Sequence, residues 1–201
     1  MFCFATLWVI VFLSAPTLSA GWVWDTGNAL GFAAMAGLLF LSVPGGARLA
    51  PRQHELIAYG LVILVAAHVL WFLLLDGAVV QYLTTDAPAY MWSGIAAAIL
   101  VIVLVLLALM PTRLSVHKTF GRFRRWHRAI AIVAILASAY HLIGSGLYLQ
   151  SPMQAALLLL LCVLVIFGRR VLVQTARVKV PVFVAVTAAS IVIFVTVRLV
   201  D

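Results

Sequence analysis

The sequence predicts an all-α fold, a polytopic membrane helix bundle of about seven transmembrane helices, on three observations. Apolar residues make up 66% of the 201 and charged residues only 9%, a balance that a soluble globular domain does not carry. Apolar runs of near-spanning length recur along the chain between short polar breaks. Strand-period alternation is absent, so backbone polar groups facing lipid must be paired within helices rather than in a barrel. No linker, low-complexity tract or soluble domain interrupts the pattern, and residues 1–201 read as one membrane domain.

Each span has its own boundaries. The first covers Phe2 to Ala20; it lacks a basic leader, and its near-full length favours a retained helix over a cleaved signal. The polar stretch Trp24–Asn28 separates it from a second span, Ala29–Val43, which Pro44-Gly45-Gly46 ends. The third runs from Glu55 to Leu75. A loop with Asp76, Asp86 and Pro88 leads to the fourth, Met91–Met110, closed by Pro111. The basic segment Arg113–Arg128 opens the fifth, which continues to about Tyr148. The sixth is Met153–Gly168 and the seventh Pro181–Leu199. Cys3 and Cys162 lie in separate apolar spans, without metal-binding spacing, and read as packing residues.

The positive charges orient this bundle. Twelve of the thirteen Lys and Arg residues fall on one side of the predicted membrane, and only Arg198 falls opposite. By the positive-inside rule the basic loops are cytoplasmic, while Asp25, Asp76 and Asp86 lie outside. The net charge of +8 is therefore a topology signal, and no nucleic-acid partner is expected. The expected location is a prokaryotic plasma membrane, with the lipid bilayer as the first partner.

Histidine spacing carries the chemistry. His54 and His68 stand fourteen residues apart on the third span, and His127 and His141 repeat that interval on the fifth. Fourteen helical residues fall ~40° short of four turns and rise ~21 Å, so both rings of each pair share a face. Spans three and five run in the same direction. His54 and His127 then share one depth near the cytoplasmic face, and His68 and His141 another nearer the outside. Paired imidazoles suit the two axial positions of haem iron, and six-coordinate iron suits electron transfer. His117 fits neither copy and reads as a loop residue.

Other readings compete for the same residues. A lone membrane histidine can simply hydrogen-bond between helices. His54, three residues after Pro51, sits where the helix has barely begun, and without it the chain holds one haem rather than two. Arg52, Arg124, Arg125 and Arg128 surround the cytoplasmic histidines and either pair with haem propionates or mark topology. Gly60 and Gly144 admit either a flat macrocycle or another helix. Trp71, Phe72 and Tyr140 either line a cavity or pack the bundle. A histidine-using metal-ion transporter is a further reading, weakened because Glu55 sits at the interface and the aspartates lie outside the spans; a non-redox structural subunit is another.

Residues from Arg52 to Tyr148 resemble the ferric-reductase-like transmembrane domain. That family includes the membrane halves of ferric reductases and NADPH oxidases, and the haem-binding membrane subunit of the periplasmic methionine sulfoxide reductase system. The resemblance rests on Arg113-Leu114-Ser115, Phe120, Trp126-His127, Ala139-Tyr140-His141 and His68. It implies b-type haem at these histidines and electron transfer across the membrane. His54 matches the two-haem members, whereas the methionine sulfoxide reductase subunits usually lack it. The chain departs from the oxidases in showing no flavin domain and no GxGxxG after a strand.

The resulting expectation is a di-haem b-type cytochrome with extra helices at both ends of the family-like core. Its electrons come from a quinol or a separate flavin reductase and pass to a redox partner on the opposite face; the alternative is a one-haem, quinol-linked subunit of an extracytoplasmic reductase. The charge bias makes a direct test. A cysteine placed at Asp86 is expected to react with an impermeant thiol reagent on intact cells, and one at Lys118 to stay unlabelled; the reverse pattern inverts the topology.

Overall fold

The computed structural model describes residues 2–12, 21–43, 51–110, 119–168 and 179–200. They form seven helices: α1 (Phe2–Phe12), α2 (Trp22–Ser42), α3 (Pro51–Leu75), α4 (Ala89–Leu109), α5 (Phe120–Ser145), α6 (Pro152–Phe167) and α7 (Val180–Val200). A 3₁₀ turn, Gly77–Leu83, follows α3, and the described residues contain no strand. The predicted all-helical bundle is what forms. By length and composition α3, α4, α5 and α7 can cross a bilayer. Over its 11 described residues α1 reaches ~16 Å, and the 16 residues of α6 reach ~24 Å, both short of a ~30 Å hydrocarbon core. Residues 13–20 of the expected first span lie outside the described residues.

Local chemistry sets the helix ends. Thr119 caps α5, its hydroxyl accepting from the Arg122 amide at 3.2 Å. Gly146 ends α5 in the left-handed conformation, φ 63°, which a side chain would disfavour. A capping box, Ser151 with Gln154, opens α6 behind Pro152. Gln154 is itself buried and donates to the Ile10 carbonyl at 3.0 Å, tying α6 to the end of α1.

Packing divides the helices into two groups. The most extensive pairs are α2 with α3 and α4 with α5; α2 also meets α5, and α3 meets α4. These four close a bundle in the ring order α2–α3–α4–α5, leaving α3 and α5 facing each other across a diagonal without extended packing. The other three helices lie against α2, which touches α1, α3, α5, α6 and α7. Small residues permit this crowding: Ala29, Ala33, Ala36 and Gly37 are all buried on α2. Phe4, Trp8, Phe32, Tyr148, Phe183 and Phe194 interlock α1, α2 and α7, with Phe32 edge-on to Tyr148 at 5.4 Å.

In one respect the helix pattern differs from the sequence expectation. The polar stretch Trp24–Asn28 is not a break but the first turns of α2. Its polar groups find partners inside: the Asn28 amide donates to the Trp24 carbonyl at 2.8 Å, and buried Asp25 accepts from the Tyr148 hydroxyl at 2.7 Å. Arg198, the one cation that the charge count sets apart from the rest, is also buried, with its guanidinium 5.3 Å from the Tyr148 ring centre and 5.5 Å from that of Phe194. Burial first and the Asp25 carboxylate second push the Tyr148 phenol above its ordinary range, so it remains a proton donor to Asp25. Tyr148→Phe removes that charge-assisted bond and is expected to cost about 1.5–3 kcal/mol. A thermal melt in detergent checks this, with Tyr82→Phe, on the 3₁₀ turn, as the silent control.

Candidate functional site

The bundle diagonal brings the histidines together in the predicted pairs. His68 and His141 have ring centres 6.5 Å apart and planes at 79°. Each ring is held by the helix beside it. His68 Nδ1 lies 2.7 Å from the Gly27 carbonyl on α2, and His141 Nδ1 lies 2.9 Å from the Tyr90 carbonyl on α4. A carbonyl can only accept, so both rings donate Nδ1–H and keep the lone pair on Nε2 for a ligand.

A glycine one turn further along makes each bond possible. A Cβ at Gly31 would lie 2.9 Å from His68 Cε1, and one at Gly94 would lie 2.6 Å from His141 Nδ1. Helical Cβ atoms lean towards the preceding turn, so a side chain at the fourth residue on would cover the carbonyl that the imidazole uses. The hairpins α2–α3 and α4–α5 therefore repeat one device: a carbonyl, a glycine four residues later, and a histidine opposite.

Around these rings is a cavity of about 400 Å³, lined by all four bundle helices and by Tyr148. Its walls are mostly apolar, Phe72, Leu142 and Met35 among them, and include no carboxylate. Two imidazoles sharing one metal through Nε2 at a bond length of ~2 Å have ring centres roughly 6 Å apart, close to the observed separation. Among the described residues no group of three or more His, Cys, Asp or Glu converges. A bare ion would meet two imidazoles here, whereas a porphyrin brings four nitrogens and needs only two axial ligands. The two-imidazole donor set suits the second case.

The inner pair is arranged differently. His54 is already helical, in the first turn of α3, which begins at Pro51. With His127 it lines a second cavity of about 730 Å³. His127 packs against Phe123 at 5.5 Å, but among the described residues its buried Nδ1 has no hydrogen-bond partner. Arg124 lines this cavity with its guanidinium 5.3 Å from the Phe120 ring centre. Arg128 also lines it while donating to the Ile166 carbonyl at 2.7 Å, at the negative end of α6. Arg52 is exposed at the start of α3 and is not part of the lining. Glu55 accepts from the Tyr59 hydroxyl at 2.8 Å.

Leu38, Leu61 and Val101 line both cavities. All three are buried, so one layer of aliphatic side chains separates the inner pair's space from the outer pair's.

The remaining sequence candidates sort by contact. Phe72 lines the outer cavity and stands edge-on to His68 at 5.4 Å. Trp71 instead donates to the Val23 carbonyl at 2.7 Å, and Tyr140 is exposed. Gly144 lets α5 approach Tyr90, a helix contact, and Gly60 faces open space. His117 and the segment Arg113-Leu114-Ser115 lie outside the described residues. Sequence reasoning missed Gly27, Gly31, Tyr90 and Gly94. The spacing of Gly27 and Gly31 on an apolar helix is a legible close-packing signal, but Tyr90 and Gly94 carry none.

No protein-family model, curated protein or solved structure matches the chain. The site therefore rests on its own geometry. Leu61→Ala is expected to join the two cavities and to destabilise the bundle by about 2–5 kcal/mol, the range for a truncated core leucine. Thermal unfolding against wild type checks the size of the effect, and Ile63→Ala, on the exposed side of α3, serves as the near-neutral control.

Proposed function

We propose that this chain is a b-type membrane cytochrome that carries electrons between the two faces of the bilayer. His68 with His141, and His54 with His127, are the pairs that would hold two haems. The observation that carries the reading is the outer pair: two rings 6.5 Å apart, each pinned through Nδ1, in a cavity without carboxylates. Haem held there by two imidazoles would supply reversible one-electron chemistry. The chain's own residues do the rest. Gly27 and Tyr90 orient the outer ligands, the apolar walls keep water from the metal, and Arg124 and Arg128 offer cationic partners for propionates at the inner cavity. The Leu38–Leu61–Val101 layer keeps the two sites close.

The resemblance of Arg52–Tyr148 to the ferric-reductase-like transmembrane domain supports the same reading, as does the repeated fourteen-residue interval. The basic loops face the cytoplasm. With no nucleotide-binding motif legible in the sequence, the donor is a membrane quinol or a separate flavin reductase, and the acceptor is a redox protein on the opposite face. A one-haem form, serving an extracytoplasmic reductase, is the second reading. It is favoured by the unpartnered His127 Nδ1, since metal-binding histidines nearly always donate their second nitrogen.

Protein purified from haem-replete cells is expected to be red, with a low-spin b-type spectrum and haem lost on acid–acetone extraction. His68→Ala is expected to remove one haem, and His54→Ala to lower the ratio from two towards one while sparing the outer site. Unchanged haem in His54→Ala selects the one-haem reading, and a colourless wild-type protein overturns the cytochrome. NADPH alone is expected not to reduce the haems; rapid reduction would overturn the need for a partner.

A further inference from the structure

The inner and outer histidines differ in what stands behind them, and α4 shows why. Fourteen residues beyond Tyr90 and Gly94, the same interval that separates the histidines, stand Leu104 and Ala108. Because α4 runs antiparallel to α5, this step along α4 follows the step from His141 back to His127. Both Leu104 and Ala108 line the inner cavity with His127. The positions of the outer device therefore recur at the inner level, with one change: alanine stands where the outer level has glycine. A Cβ at Gly94 would collide with the His141 ring. The methyl group of Ala108 covers the preceding turn in the same way. His127 Nδ1 is correspondingly left without a partner.

We propose that Gly31 and Gly94 are positioning residues that uncover helix carbonyls for the outer imidazoles, and that Ala108 withholds this device from His127, making the two ligand pairs unequal. The outer rings are locked in the Nδ1–H tautomer, with Nε2 left unprotonated whether or not a metal is there. His127 has no such lock. An imidazole that donates to a carbonyl is a better electron donor to a metal. The outer site therefore holds haem more tightly and at a lower reduction potential than the inner site. The assignment of haem rests on the function proposed above; the tautomers do not.

The test has two arms. In haem-free protein labelled with ¹⁵N-histidine, His68 and His141 are expected to show a protonated Nδ1 and a bare Nε2, and His127 a tautomer mixture. Gly31→Ala and Gly94→Ala are each expected to release one outer ring into exchange, Gly60→Ala to change nothing, and Ala108→Gly to move His127 towards the Nδ1–H form. In haem-loaded protein, Gly94→Ala is expected to speed outer haem loss by about 10- to 100-fold, the range for lost ligand support. Ala108→Gly is expected to slow inner haem loss and lower that site's potential, as read by spectroelectrochemical titration. Should glycine substitutions unfold the chain, Ala108→Gly still decides, because it adds a contact instead of removing one. Outer rings that lack the Nδ1–H form, or an Ala108→Gly protein with unchanged His127 and haem parameters, overturn the inference. Correct tautomers in a protein that never binds haem leave the positioning intact and overturn the cytochrome reading alone.

Discussion

The arrangement depends on one requirement: an imidazole inside an apolar bundle must give its N–H to something. Water is scarce there, and a buried polar atom without a partner costs about 1–3 kcal/mol. The outer histidines meet the requirement with helix carbonyls that already serve the backbone ladder, each reached over a glycine. Satisfying one nitrogen fixes the other. The same bond that removes a buried cost thereby sets the tautomer and aims the ligand. Stability and site geometry are one interaction at His68 and His141.

That interaction in turn shapes the bundle. Because α2 supplies the carbonyl for His68 and α4 the carbonyl for His141, the tight pairs are α2–α3 and α4–α5, and α3 and α5 are kept apart across the diagonal. The gap becomes two cavities separated by Leu38, Leu61 and Val101. A direct α3–α5 interface would close both.

Outside the four-helix ring, α1, α6 and α7 bury the far side of α2. Their aromatic cluster surrounds Asp25, Tyr148 and Arg198, a set of polar groups drawn inside instead of facing solvent. This accounts for the one cation that opposes the charge bias. Arg198 falls opposite the basic loops in the topology the sequence predicts, yet its guanidinium is enclosed by Tyr148 and Phe194, so it is not a free loop charge. Anchoring α7 and the loop after α5 in this way also holds Tyr148 at the wall of the outer cavity.

The sequence by itself determined the helical class, four helices long and apolar enough to cross a bilayer, the meeting of His68 with His141 and the shared cavity of His54 and His127. These follow from period and composition, which act locally and can be counted along the chain. Equal fourteen-residue steps on two parallel helices leave little choice of partner. Only the tertiary structure decided what holds the rings. Gly31 and Gly94 matter because of the histidine on the neighbouring helix, and nothing adjacent to them in the chain reports it. The polar turn Trp24–Asn28 looked like a break because its partners, Tyr148 above all, come from 123 residues away. The difference between Gly94 and Ala108 is a single methyl group, visible in the sequence but without meaning until α4 is laid against α5.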